Sequence, residues 1–297
     1  MPELPDIEIY VEALNDRVQG ELLERVRIAK PFLLRSFEPP IAEADGKTVL
    51  GIHRLGKRIV FELDGDRFLI LHLMIAGRLK WIAPDGAIPK RSGLAAFDFS
   101  SGTLILTEAG SKRRASLYLV SGIEGLAAHD PGGLEVLDCK LEDFRAVLER
   151  ERHTLKRSLT DPHLFSGIGN AYSDEILHRA RLSPFKLSTE LTDDQRVRLF
   201  GACREILSEW TDRLRKEVGD GFPKKVTAFR DDMAVHGRYR EPCPVCGAPV
   251  QRIVYAENES NYCAGCQTGG KILADRMLSR LLKDDWPKTL DDLETAT

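Results

Sequence analysis

CPVCGAPVQRIVYAENESNYCAGC, residues 243–266, carries two Cys-x2-Cys knuckles, Cys243/Cys246 and Cys263/Cys266, separated by the sixteen residues Gly247 to Tyr262. Thiolate pairs at that spacing close a tetrahedral shell around one Zn2+ ion, and a closed shell keeps no position for a reacting water. One structural zinc is therefore expected, pinning a hairpin and doing no chemistry. Two disulfides are the other use of four cysteines. The chain shows no signal-peptide pattern and no transmembrane run, and Cys139 and Cys203 stand outside the knuckles. A reducing, cytoplasmic setting and a metal fit that pattern better. Cys139 and Cys203 read as small buried hydrophobes.

Upstream of the ribbon the apolar spacing is helical. Leu141 to Arg150, Asn170 to Arg181 and Thr192 to Lys216 repeat apolar residues every three or four positions, and Thr192-Asp193-Asp194-Gln195 offers an N-cap with a capping-box partner. In Gly167-Ile168-Gly169-Asn170, Asn170 is placed to cap a helix starting near Ala171, presenting backbone N–H groups to a phosphate. A plain helix-helix turn is the alternative.

Farther upstream the period becomes two. Val26 to Ala29, Thr48 to Leu63, Phe68 to Leu79, Ala95 to Leu106 and Ala115 to Val120 are β-rich, with turn pairs at Asp64-Gly65 and Ser101-Gly102. They predict antiparallel hairpins in a β-sandwich, preceded by a helix from about Asp6 to Val18. Gly122 to Gly133 is glycine-rich and reads as a linker. Beyond the ribbon, Ile272 to Leu282 sets Leu273, Met277, Leu278 and Leu281 on one side of an amphipathic helix, a core-packing pattern.

The fold class is α+β. The expected division is a catalytic β-sandwich domain at 1–121, a helical DNA-binding domain at 134–234, the zinc ribbon at 235–267 and an extension at 268–297. A chain of 297 residues with 42% hydrophobic content can bury such cores. Its net charge of −3 argues mildly against a nucleic-acid partner. Basic clusters at Lys47 to Arg58, Lys112-Arg113-Arg114, Arg150 to Arg157, Lys224-Lys225 and Arg238 to Arg240 argue the other way, although each alone is more often a solvated face.

Met1-Pro2-Glu3-Leu4-Pro5 opens the chain. Removal of Met1 leaves the ring nitrogen of Pro2 as a free secondary amine beside a carboxylate. An α-amino group titrates near ~8 and lysine near ~10.4, so the terminal amine is much the more nucleophilic at neutral pH. A secondary amine adding to a sugar C1′ gives an obligate cation, which acidifies the neighbouring carbon and favours elimination, and Glu3 can carry the protons. The bland alternative is a frayed terminus that begins Met-Pro by chance.

MPELPDIE at the start, Lys57 in RLGKRIVFEL, His72-Leu73 before a β-segment, GIGNAYSDEIL, and VHGRYREPCPVCG leading into the ribbon together resemble the formamidopyrimidine-DNA glycosylase and endonuclease VIII family, over about residues 1 to 267. The resemblance implies an N-terminal helix plus β-sandwich domain, a helix-two-turns-helix domain and a zinc ribbon, with damaged DNA, duplex or single-stranded, crossing the cleft between domains. It implies a monomer with no membrane partner. It implies a bifunctional DNA glycosylase and abasic-site lyase of base excision repair. Pro2 matches the Schiff-base nucleophile, Glu3 the acid/base group, Lys57 a residue of proton transfer and phosphate contact, and Asn170 a phosphate-binding side chain. His72, Arg113, Arg114 and Arg238 fall at or near DNA-contact positions. Extrusion of the damaged nucleotide from the stack explains why the amine is recessed.

Three places depart from the family pattern. Lys112-Arg113-Arg114-Ala115 stands where an Arg-Arg-Phe loop carries a wedge aromatic. Ile75 stands where a void-filling Met is usual. Asn258 stands five positions before Cys263, where an Arg assists δ-elimination, and Asn supplies no fixed charge. A weaker demand for duplex DNA and predominant β-elimination are the expected results. The rival activities are an abasic lyase with little base excision and a catalytically idle damage-binding module. Lesion preference is not readable from Gly219 to Asp232.

Overall fold

The computed structural model describes residues 1–110, 112–224, 226–227, 230–255, 258–274, 278–282 and 286–295. They form two compact units, Met1–Pro131 with Glu209–Ala228, and Gly132–Ser208 with Phe229–Thr297. No helix among the described residues is long and apolar enough to cross a membrane.

In the first unit, α1 (Leu4–Val18) precedes nine strands: β1 (Leu22–Leu23), β2 (Arg25–Ile28), β3 (Lys47–Leu55), β4 (Arg58–Leu63), β5 (Arg67–His72), β6 (Gly77–Ile82), β7 (Gly93–Phe99), β8 (Gly102–Glu108) and β9 (Ser116–Ser121). They make two antiparallel sheets, of order β1-β3-β4-β5-β9 and β2-β7-β8-β6. Ile7, Tyr10, Val11, Leu14 and Val18 recur at helical spacing along one face of α1 and join Ile59, Phe61, Leu69, Leu71, Phe97, Leu104 and Leu106 in one core. Alternation in β4 puts Ile59, Phe61 and Leu63 on that core and Val60 on the opposite face, with Phe68 and Ile70 of β5.

That opposite face narrows the linker reading: the boundary between the units falls at Pro131/Gly132, inside Gly122 to Gly133, but the stretch opens as a helix. Gly122–Ala127 is a short helix, α2, and its Leu126 packs against Val60, Phe68 and Ile70. An apolar outer sheet face needs cover, and the glycines hide the helical period that provides it.

The second unit contains α3 (Leu141–Leu148), α4 (Leu155–Thr160), α5 (Asn170–Arg179) and the start of α6 (Asp193–Val218), whose later turns belong to the first unit. Thr192 and Gln195 make the expected reciprocal cap at the head of α6, at 3.1 and 3.3 Å. The ribbon is β10 (Val250–Tyr255) paired with β11 (Asn258–Cys263), followed by α7 (Ala264–Thr268). The chain closes with α8 (Leu278–Leu282) and α9 (Leu290–Thr295).

The extension packs on the ribbon, as the sequence suggested, but not as one helix. Ile272 donates its N–H to Lys288, Leu290 to Gly270 and Leu273 to the Tyr262 hydroxyl, and Ile272, Leu273, Trp286, Leu290 and Leu293 share a cluster with Ile253 and Tyr262. Residues 272–274 are not helical, Met277 lies outside the described residues, and Leu281 is 77% exposed. Tyr262 and Ile253 offer the apolar surface, so an extended segment serves as well as a helix.

Candidate active site and zinc centre

The chain terminus is folded into the first unit. Pro2 is buried and Glu3 is 2% exposed. Glu3 is the N-cap of α1 in an extended conformation, and a capping box ties it to Asp6, whose carboxylate accepts the Glu3 N–H at 3.0 Å. Pro5 in the first turn has no N–H to waste there. A frayed terminus is thereby excluded.

Burial holds the Met1 amine, one residue before Pro2, below its ordinary value; Arg78 and Lys57 add to the shift, and Glu3 and Asp6 oppose it. The surroundings of the chain end thus favour a neutral amine more than water does. Lys57 sits in the two-residue turn between β3 and β4, where Gly56 takes φ +61°. Arg54 braces that turn by donating to the Gly56 carbonyl at 3.0 Å and to Glu8 of α1 at 2.6 Å. Lys57 and Arg58 also act on His72, which pairs with Arg58 across the sheet; burial first, then these two charges, pushes His72 down to about 4. Pro2, Glu3, Lys57 and His72 thus lie in one electrostatic neighbourhood.

Arg78 completes it. Its guanidinium donates to the Ile75 carbonyl at 3.2 Å and to the Gly77 carbonyl, clipping the turn that carries Ile75. Met74 is left-handed at φ +52° and Ile75 is 55% exposed at the tip. Gly77 is obligatory, because a Cβ there would lie 2.3 Å from the Leu73 carbonyl oxygen. Ile75, not Met74, is therefore the exposed tip of this turn.

The loop joining β8 to β9 is held from below by Glu108, 1% exposed, whose carboxylate accepts the N–H groups of Arg114 and Ala115 at 3.0 and 3.1 Å. Arg113 donates to the Arg91 carbonyl, Arg114 is exposed and Ala115 is fully buried. No side chain at position 115 projects as a wedge.

In the second unit, Asn170 is the first residue of α5 and Gly169 its N-cap, one place from the expectation that Asn170 caps. A side-chain-free cap lets the backbone stay extended and frees the Asn170 side chain from capping duty. Behind the turn, Lys156 donates to the Asn170 carbonyl at 2.6 Å and to the buried Asp174 carboxylate at 2.5 Å. Asp174 also meets His236 Nδ1 at 2.8 Å, Ser260 Oγ at 3.3 Å and Asn261 Nδ2 at 3.3 Å. Burial alone would raise its carboxyl, but Lys156 and His236 hold it below the usual range. The neighbouring Glu175 accepts the backbone N–H groups of Ala234, Val235 and His236 at 2.7 to 2.9 Å, while burial pushes its carboxyl upward. One helix thus ties together the Gly169-Asn170 turn and the ribbon hairpin. Arg238 is engaged within this unit, donating to Glu241 at 2.7 Å and to the Met233 carbonyl at 3.0 Å.

Cys243 and Cys266 sulfurs lie 3.9 Å apart and those of Cys246 and Cys263 3.3 Å apart. Zn–S bonds of ~2.3 Å set tetrahedral edges of roughly 3.8 Å, so these four residues fit one structural zinc ion. Of the cysteines outside the ribbon, Cys203 is buried and Cys139 half-buried, and burial pushes both thiols up. Asn258 heads β11, and its side chain lies outside the described residues.

The sequence reading missed Arg78, Glu108, Asp174, Glu175 and His236. His236 stood in the quoted VHGRYREPCPVCG string and the acidic pair in GIGNAYSDEIL, yet only the fold pairs them.

Three family models match the chain: the formamidopyrimidine-DNA glycosylase N-terminal domain at residues 1–113, its H2TH domain at 132–216, and the zinc finger found in FPG and IleRS at 240–269. A formamidopyrimidine-DNA glycosylase of Thermus thermophilus is 34% identical over 284 residues, covering 91% of this chain and 100% of the relative. An uncharacterized formamidopyrimidine-DNA glycosylase-like protein of Mycobacterium tuberculosis is 42% identical over 51% of this chain and 94% of its own. Among solved structures, Lactococcus lactis Fpg (MutM) bound to Fapy-dG-containing DNA superposes with a TM-score of 0.79 at 27% identity, covering 90% of this chain and 100% of that one.

Proposed function

The chain belongs to the formamidopyrimidine-DNA glycosylase family and is a DNA glycosylase of base excision repair, and we propose that it works through Pro2 as nucleophile, Glu3 as proton carrier and Lys57 as assisting cation. The Pro2 nitrogen, freed of Met1, attacks C1′ of an extruded nucleotide. The bond from C1′ to the base breaks and the base leaves with a proton; the C1′–O4′ bond then opens, O4′ taking a proton by way of Glu3, and nitrogen and C1′ are left joined as an iminium. That cation acidifies C2′; loss of a C2′ proton expels the 3′ phosphate and cuts the strand. Water then releases the enzyme. Lys57 stabilises the developing phosphate charge, and its turn is set by Arg54 and Glu8. The zinc, held by Cys243, Cys246, Cys263 and Cys266, shapes the hairpin.

The observation that carries this reading is the folded chain end: Pro2 is buried, and Glu3 beside it is fixed by its capping box with Asp6. His72, Arg113, Arg114, Asn170 and Arg238 are assigned to DNA contact, Arg238 after it releases Glu241. The working domains are 1–121, 134–234, 235–267 and 268–297, in a cytoplasmic monomer.

Borohydride reduction of the protein mixed with abasic DNA tests the chemistry, since only an iminium becomes a permanent crosslink. A crosslink that peptide mapping places on the Pro2 nitrogen is expected. A crosslink mapped to any other residue, or full activity in protein retaining Met1, overturns the assignment. A second reading, an abasic lyase with little base excision, is favoured by the buried Ala115 in place of a wedge. Release of free base from an intact lesion separates the two.

A further inference from the structure

His178 lies in the last turn of α5, is 6% exposed, and points its Nε2 at the ribbon, 3.3 Å from Cys243 Sγ. Its nitrogen and the sulfurs of Cys243, Cys263 and Cys266 all lie within 4.8 Å of one another. We propose that His178 is a metal-ligating residue in reserve, forming with Cys243, Cys263 and Cys266 a second complete donor set for the ribbon zinc.

The distances suit ligation. With Zn–N of ~2.0 Å and Zn–S of ~2.3 Å, a tetrahedral N-to-S edge is roughly 3.5 Å, close to the observed 3.3 Å. The burial pattern says which cysteine it replaces. Cys243 and Cys263 are buried and Cys266 half-buried, whereas Cys246 is exposed. Gln267 holds the inner corner to the end of α5, accepting the Cys263 N–H at 2.8 Å and donating to the Leu182 carbonyl at 2.9 Å. Three inner thiolates and the imidazole therefore stay together when the outer thiolate is lost.

With four cysteines bound, Nε2–H donates to the Cys243 thiolate and the ring serves as a positioning group. When Cys246 is absent, the ring proton moves to Nδ1 through solvent, the Nε2 lone pair takes the fourth metal position, and no redox change is involved. A neutral donor then replaces an anionic one, so the site becomes less negative by one charge.

The test uses the full chain with Cys246→Ser, His178→Phe and the double variant, loaded with zinc or with cobalt(II) as a spectroscopic probe. His178→Phe alone should hold one metal per chain with the four-thiolate cobalt spectrum. Cys246→Ser should also hold one metal, with thiolate-to-cobalt charge-transfer intensity reduced by a quarter and the d–d bands moved to higher energy. The double variant should bind at least about tenfold more weakly than Cys246→Ser. The proposal is overturned if Cys246→Ser loses metal as completely as the double variant, or if the double variant binds as tightly as Cys246→Ser. His178→Gln, a poor ligand of similar length, replaces Phe if the aromatic variant does not fold.

Discussion

Asp174 gives the sharpest test of how the second unit is held together. Its carboxylate is fully buried and is shared by Lys156, His236, Ser260 and Asn261, which arrive from α4, the segment before the ribbon, and β11. Asp174→Ala leaves Lys156, with a side chain 13% exposed, beside a cavity with no counter-charge. Two charge-assisted hydrogen bonds at about 1.5–3 kcal/mol each predict a loss of about 3–6 kcal/mol. Removing one partner of a buried pair independently suggests about 3–5 kcal/mol. A loss near 4 kcal/mol is a large share of the about 5–15 kcal/mol that a folded domain has in hand.

Asp174→Asn keeps the shape and one acceptor but not the charge, so about half that loss is expected. Release of zinc to a chromophoric chelator during urea unfolding reads the second unit selectively, because the ribbon belongs to it. With a urea slope of about 2 kcal/mol/M, the midpoint should fall by about 2 M for Ala and by about 1 M for Asn. A fall below about 0.5 M in both variants would show that water already solvates these groups, and the account of Asp174 as the knot of the unit would be wrong.

Three further outcomes are expected. His72 is held at about 4 against about 6.5 when unfolded, so the fold resists its protonation. Stability complete above about pH 6.5 is lost as pH falls toward 4, by up to roughly 3 kcal/mol, and His72→Asn should flatten the unfolding free energy across that window; an unchanged slope counts against it. Because Ala115 is buried and Ile75 alone stands exposed on its turn as a candidate filler, the same lesion should be cut in single-stranded DNA at a rate within about tenfold of duplex, the equivalent of about 1.4 kcal/mol, and a strong duplex preference rejects this. With Asn258 in place of an arginine, a 3′ unsaturated aldehyde should dominate over a 3′ phosphate on a sequencing gel.

What the sequence showed and hid follows from the range of each interaction. The zinc knuckles and the Thr192/Gln195 cap are complete within a few residues or one hairpin, so spacing alone revealed them. Asp174 and Glu175 sit in a short helix of low apolar content and resemble a solvated acidic pair; their partners His236 and Val235 lie 62 and 60 residues on. Glu108 looked like the end of a strand because its ligands are backbone N–H groups, which no side-chain pattern records. His178 was invisible for the same reason, since a histidine in a helix declares nothing until Cys243 is brought to it from 65 residues away.

The terminal amine joins both kinds of information. Proline at position 2 announces an amine, but reactivity depends on where α1 begins. Asp6 accepts the Glu3 N–H, so the helix starts at Leu4 and the amine is carried at its positive end, where added positive charge is disfavoured. On the Met1 amine, burial, Arg78 and Lys57 act in the same sense, and Glu3 and Asp6 oppose them. Asp6→Ala should therefore damage chemistry and capping together, whereas Asp6→Asn, which retains an acceptor for the Glu3 N–H, should keep the cap and lower the amine's proton affinity. A borohydride crosslink that forms at lower pH in Asp6→Asn than in the unchanged protein is the consequence, and the opposite shift would mean that Asp6 acts on the amine only through the shape of the helix.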